Sequence, residues 1–402
     1  MNVDNFLLLL EELNQLEDEH QREETIGNTL KALNKKNKLP LHGEKGKVIF
    51  VWFDQDNLNQ DYIYIRSNNL NWEKDGYLGR YYNGKYRLAI RTYHQLDKLL
   101  YKFEIDDNWL SDPLNINVEW DGFIGPRLHK NMNSVIHFLP DPSWPEGRMV
   151  RHHINFEFEG MTISKDLFVV LPPDYDRSRK TYPVLYLNHG EHYATYLEAQ
   201  KTLIQHINSK TVVDPPIMVM IPLNCDDIAD LDEQDLYCPS GRFYRMFQRM
   251  FIDKIISSVD NSFRTKNDYK YRALGGLGSS GTFSIIMGIE HPHLFKYIIS
   301  QGTKYFPFDR FSHHQSHRDP SKTNIFYLDC GEVGSVEQTK KVSHLLTQRG
   351  YSSVNTVIFD QEDDNCWNLK KRLSSIFTSL YGRFPLGSDY EDNYSADLTS
   401  HD

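Results

Sequence analysis

The sequence predicts an α/β domain preceded by a small β-sandwich, and three stretches carry the prediction. The apolar runs PVLYLNHG and PIMVMIP have the composition of parallel strands buried on both faces. The stretch YRALGGLGSSGTFSIIMG, from Tyr271 to Gly288, reads as a short buried strand, a run of tiny residues and an apolar helix. That is the strand-turn-helix context in which a G-x-S-x-G nucleophile elbow is built. Between Lys47 and Asn115 the segments KVIFVWF, YIYIRS, YRLAIRT and LLYKFEIDDNWLSDPLN follow one another across Asn, Asp and Gly turns, the pattern of a β-sandwich.

At 402 residues the chain is long enough for two or three domains. Charged residues make up 25% and apolar ones 39%, a globular balance, and the net charge is -10. An acidic surface finds no counter-charge on nucleic acid or on an anionic membrane, so the expected partner is a small-molecule ligand or a protein. The longest apolar run near the start, Phe6 to Leu10, is far short of a signal h-region, and no run approaches the ~20 residues of a membrane helix. Cys225, Cys238, Cys330 and Cys366 are scattered, without a C-x-x-C pair, which suits reduced thiols and a cytoplasmic setting. No Walker A or dinucleotide fingerprint is present, and no cofactor is expected.

Taken in order, residues 1–38 are expected to form an N-terminal element with one amphipathic helix over 4–33, ended by Pro40. The sandwich follows over 45–120. Residues 121–150, with Pro126, Pro140, Pro142 and Pro145 and little periodicity, read as a linker. The second domain spans 151–382, beginning with a hairpin of INFEF and DLFVVLPPDYD and holding a clear helix from Arg242 to Phe263. The acidic tail over 383–402 has no apolar pattern and is expected to be disordered.

At the elbow, setting Gly276 as the first glycine puts Leu277 next, Gly278 where the nucleophile belongs, then Ser279, with Ser280 at the second glycine. The succession LPPDYD, YPVLYLNHG, FRTKNDYKYRALGGLGSSG, HPHLFKYIISQG, FYLDCGE and a W..KKRL helix resembles the esterase family that includes the enterochelin (enterobactin) esterases. The resemblance covers residues 150–382 closely and 45–120 loosely. It implies an α/β-hydrolase fold behind an immunoglobulin-like early-set domain, and a triad in the order Ser, Asp or Glu, His. On this sequence the nucleophile position falls on Gly278, the acid on Gly334 and the histidine on Glu362, five residues before Trp367. All three roles are vacant at their landmarks. Ser279 or Ser280 could serve only if the turn were re-registered, with Glu332 as acid and Asp363 or Asp364 as a carboxylate base. His189-Gly190 corresponds to the oxyanion-loop position, and Asp226, Asp227 and Arg242 fall in the segment that borders the family's pocket.

The pattern YKF...W..DP, with Lys102, Trp109, Asp112 and Pro113, resembles glycogen-binding-like modules, and Trp72 sits near a second sugar-stacking position, so Trp72, Lys102 and Trp109 are candidate carbohydrate contacts. In HHQSH, His313, His314 and His317 have a spacing that could share a metal, yet without a neighbouring Cys or paired carboxylate no metal site is expected. Three functional readings follow: a family member that binds without cleaving, a working ester hydrolase using Ser279 or Ser280, and a carbohydrate-associated binding protein.

Overall fold

The computed structural model describes residues 1–43, 46–54, 62–82, 86–94, 96–122, 132–138, 147–225, 228, 231–312 and 323–387. The chain divides into two units, one of Met1–Pro142 with Met149–Arg151, the other of Ser143–Arg148 with His152–Asp402.

The first unit contains two sheets. One has the order β1-β2-β6-β5 (Leu41–His42, Lys47–Phe53, Tyr86–Thr92, Arg80–Tyr82). The other has the order β4-β3-β7-β10-β9 (Lys74–Tyr77, Tyr64–Ser67, Lys98–Ile105, Met132–His137, Val118–Trp120), with β8 (Asn108–Leu110) also paired to β7. Alternation along β2 sends Val48 and Phe50 into the interior with Ile65, Tyr101 and Phe103. Ile49 and Val51 face the other way, against Phe6, Ile26, Leu30 and Leu33 of two helices, α1 (Val3–Asn14) and α2 (Glu19–Asn34). The N-terminal element therefore belongs to the first unit. It is two helices where the sequence predicted one, because Asp18 accepts hydrogen bonds from the N–H groups of His20 and Gln21 and starts a new helix.

The expected linker is also corrected. Its residues 132–137 form β10, which pairs with β7 and β9, and all but His137 are buried. MNSVIH is covered on both faces and includes buried Asn133 and Ser134, so it shows neither alternation nor an apolar run. Of the acidic tail, residues 388–402 lie outside the described residues.

The second unit is built on an eight-stranded sheet of order β11-β12-β14-β13-β15-β16-β17-β18. β11 (Arg148–Phe158) and β12 (Met161–Leu171) begin it, and β12 meets β14 (Ile217–Ile221) antiparallel. From there β13 (Val184–Asn188), β15 (Arg272–Leu277), β16 (Tyr297–Gln301), β17 (Ile325–Gly331) and β18 (Ser353–Phe359) run parallel. The antiparallel start, the crossing of the third and fourth strands and the parallel remainder make this an α/β-hydrolase fold, with the elbow after the fifth strand. The predicted helix from Arg242 is α6 (Tyr244–Met250) and α7 (Ile256–Ser262), joined through a π-helical turn over Phe251–Ile255. No helix among the described residues is long and apolar enough to cross a membrane.

Candidate functional site

The elbow connects β15 to α8 (Ser279–Glu290), and its small residues have steric reasons. A Cβ on Gly276 would lie 2.5 Å from Ser280 atoms, and one on Gly281 would lie 2.3 Å from Ser300 Oγ, so the helix can approach the strands only if both stay bare. Gly278 occupies the apex with φ 59° and ψ -121°, a conformation side chains adopt only under strain. A Cβ there would meet only the Lys304 stem, at 3.7 Å. The turn thus has the room and the backbone for a nucleophile and carries none at its apex.

The hydroxyls of both neighbouring serines are engaged within the fold. Both are fully buried. Ser280 Oγ accepts from the Leu277 N–H at 3.0 Å and donates to the Leu277 carbonyl at 2.9 Å, closing the turn on itself. Ser279 Oγ donates to Glu233 Oε2 at 2.6 Å, and the same carboxylate oxygen lies 3.2 Å from His189 Nε2. In a working triad the imidazole stands between hydroxyl and carboxylate. Here the carboxylate stands between hydroxyl and imidazole. The hydrogen bond from His189 lowers the Glu233 pKa to about 2 against the opposing effect of burial, with Ser279 and Lys304 adding to the shift. A carboxylate held that low is a poor proton acceptor.

His189 follows β13 at φ 59° and caps α3 (Gly190–Ala194). Gly190 is required beside it, since a Cβ would sit 2.4 Å from the Ile221 backbone nitrogen. The His189 backbone N–H, at the oxyanion-loop position, donates to the Tyr237 hydroxyl at 3.2 Å. Burial disfavours charge on the ring, but Glu191 and Glu233, one on each ring nitrogen, outweigh it and raise the pKa to about 9. Partial burial would raise the Glu191 pKa, yet its bonds to His189 and His192 hold it well below the usual carboxylate range.

At the acid and histidine landmarks the loops after β17 and β18 are tied together instead of presenting a base. Asp364 accepts from the Gly331 N–H, the Ser335 N–H and the Ser335 hydroxyl at 2.7, 2.7 and 2.8 Å. A Cβ on Gly334 would lie 2.2 Å from its Oδ2. Arg372, fully buried on α11 (Cys366–Tyr381), binds Asp364 at 2.8 Å, Glu362 at 3.0 Å, Asp329 at 3.5 Å and the Asp363 carbonyl at 2.7 Å. Glu362 is therefore an ion-pair partner. Glu332 is exposed and accepts from the Gln361 N–H at 3.1 Å, on the turn after β18.

The remaining candidates are dispersed. Arg242 is an exposed partner of Asp235. Asp226, Asp227, His313, His314 and His317 lie outside the described residues. In the first unit, Trp72 and Trp109 face each other at 6.0 Å and 34°, with the Arg66 guanidinium 5.0 Å from the Trp109 ring. Lys102 is not with them: it is 5% exposed and pairs with Asp121 at 2.5 Å. Asp112 of the same pattern is buried, accepting from the Tyr101 hydroxyl at 2.6 Å and the Leu114 N–H at 2.8 Å. Sequence reasoning missed Glu233, Glu191, His192 and Arg372. HGEH carries a legible His-x-x-His spacing, whereas Glu233 lies 46 residues from Ser279 and only the fold joins them.

A family model described as "Putative esterase" matches residues 160–372. The endo-1,4-beta-xylanase/feruloyl esterase of Xylanibacter ruminicola is 26% identical over 200 residues, which cover 47% of this chain and 26% of that protein. The chain thus spans about a quarter of that relative's length. Among solved structures, a ferulic acid esterase gives a TM-score of 0.49 at 13% identity, covering 57% of this chain and 97% of its own. The enterobactin esterase of Shigella flexneri, solved in the presence of enterobactin, gives 0.45 at 14% identity, covering 83% and 94%. The match over more than half of the residues, laid on a sheet of this order with its elbow after the fifth strand, settles the affiliation: this chain belongs to the esterase family.

Proposed function

We propose that this chain is a non-hydrolytic member of its family, a binding protein that keeps the α/β-hydrolase body without the proton-transfer machinery. One observation carries the reading: the elbow apex has a nucleophile's backbone conformation and is glycine, Gly278. The order hydroxyl, carboxylate, imidazole in Ser279, Glu233 and His189 supports it, as does the closure of the acid and histidine loops by Arg372. Loss of nucleophile and base together removes both the covalent step and its activation. Four unpaired cysteines support a cytoplasmic setting.

Purified protein is expected to turn over p-nitrophenyl acetate and a feruloyl ester, the latter chosen from the name of the Xylanibacter relative, no faster than Ser279→Ala and Ser280→Ala do. A fluorophosphonate probe is expected to leave it unlabelled. Covalent labelling at either serine, or turnover lost in either variant, overturns the reading. Gly278→Ser is expected to remain inactive, because a hydroxyl restored at the apex finds Glu362, tied to Arg372, at the histidine landmark where an imidazole would take its proton.

A second reading, sugar binding by the first unit, has the Trp72–Trp109 pair in its favour, with Trp109 37% exposed. Co-sedimentation with glycogen that is lost in Trp109→Ala would support it. Lys102→Ala should be uninformative about sugar, since that side chain is committed to Asp121.

A further inference from the structure

The sequence reading expected no metal ion. We infer that His189, Glu191 and His192 form a divalent transition-metal site, of the kind that takes Zn²⁺ or Co²⁺, with three protein ligands and one open position. This inference does not depend on whether the chain hydrolyses esters.

The geometry comes first. His189 Nδ1 lies 3.2 Å from Glu191 Oε1 and 3.2 Å from His192 Nδ1, and His192 Nδ1 lies 3.7 Å from Glu191 Oε1. A point just off the plane of a triangle with those sides lies about 2.0–2.1 Å from all three corners, which is the length of a zinc–nitrogen or zinc–oxygen bond. In tetrahedral coordination at that bond length, ligand atoms stand about 3.3 Å apart. The three atoms are thus spaced as one face of such a tetrahedron.

The orientation of each ligand is fixed by contacts outside the triangle. His189 Nε2 faces Glu233 Oε2 at 3.2 Å, and a carboxylate can only accept, so that nitrogen carries the proton. An ion displaces the proton that Nδ1 otherwise shares with Glu191, and the Nδ1 lone pair then serves as the ligand. A carboxylate on the far nitrogen is the arrangement that sets tautomer and orientation in histidine ligands. Glu191 Oε2 accepts the Leu223 N–H at 2.9 Å, leaving Oε1 for the centre. The His192 ring stacks on Tyr196 at 5.4 Å and 27°.

Two imidazole nitrogens and a carboxylate oxygen within 3.7 Å of one another favour positive charge between them. A proton on one nitrogen satisfies only part of that demand, whereas a divalent ion satisfies all three atoms. Two nitrogens and one oxygen match zinc, cobalt or nickel better than calcium or magnesium, which take oxygen ligands. The His192 side chain is 32% exposed, which gives an ion a route in and leaves the fourth position to solvent.

The test uses the full chain stripped with a chelator and titrated with Zn²⁺ by calorimetry, and with Co²⁺ by visible absorption. One equivalent should bind, and Co²⁺ should give the intense bands of four-coordination. Glu191→Gln and His192→Ala should each weaken Zn²⁺ binding at least about tenfold, and Glu233→Gln, which touches no ion, by about 10–100-fold. Zinc should raise the melting temperature of the wild type and not of His192→Ala. His192 is partly exposed, so its metal-free variant should melt with the metal-free parent and serve as the folded control. Absence of stoichiometric binding overturns the assignment. Binding that persists at full strength in both Glu191→Gln and His192→Ala also overturns it, wherever the ion then sits.

Discussion

Arg372→Met is expected to lower the unfolding free energy by about 3–5 kcal/mol, the effect of removing one partner from a buried ion cluster. The Arg372 side chain is fully buried and Asp364 is only 9% exposed, so the substitution leaves the Asp364 carboxylate in the interior without its cation. It also frees the loops after β17 and β18, which Asp364 and Arg372 hold together. Urea unfolding followed by tryptophan fluorescence measures the loss. Lys341→Met, which breaks an exposed pair with Glu337, is the contrast and should leave the unfolding midpoint essentially unchanged. A loss below about 1 kcal/mol in Arg372→Met would mean that the cluster is dispensable to the fold.

The second large effect is a pH dependence that Asp329→Asn should abolish. Burial raises the Asp329 pKa from 3.8 to about 7, with Arg372 opposing the shift and Asp364 adding to it. Asp329 Oδ2 has no hydrogen-bond partner among the described residues, which fits a neutral carboxyl better than a charged one. A raised folded-state pKa means that the folded chain holds this proton more tightly than the unfolded chain. Its stabilising contribution is therefore complete below the unfolded value and is lost as pH rises through about 7. Between pH 5 and pH 8 the wild type should lose about 2–3 kcal/mol relative to Asp329→Asn, at about 1.4 kcal/mol for each unit of pH over which the two states differ in protonation. Denaturation midpoints at the two pH values decide it. A wild-type-minus-variant difference that stays flat across this range would place an ionised Asp329 in the native state throughout.

Much of this architecture was legible from residue order because the relevant signals are local. The runs VLYLN and IMVMI announced strands covered on both faces, and GGLGSSG announced a tight strand-to-helix turn. The vacancy at the apex could be read for the same reason, since a landmark and its occupant are adjacent in the chain. What could not be read depends on contacts across the fold. Glu233 reaches Ser279 and His189 from a separate short helix, and Arg372 gathers Asp329 across 43 residues. The metal inference was hidden differently. HGEH is contiguous, but only the αL turn at His189 brings its Nδ1 within 3.2 Å of both Glu191 Oε1 and His192 Nδ1. In β10 the failure came from polar residues, Asn133 and Ser134, buried on a strand, which a hydropathy pattern reads as exposed; Ser134 Oγ accepts the Asp112 N–H at 2.7 Å.

The glycine at position 278 has a thermodynamic corollary. Enzymes with this scaffold hold a side chain in a torsional region that costs about 1–3 kcal/mol, a permanent tax on the native state in exchange for reactivity. A backbone that visits the same region without a β-carbon escapes that levy. The body should therefore tolerate heat and surface mutation with a wider margin than a homologue of equal packing that carries a side chain at this position.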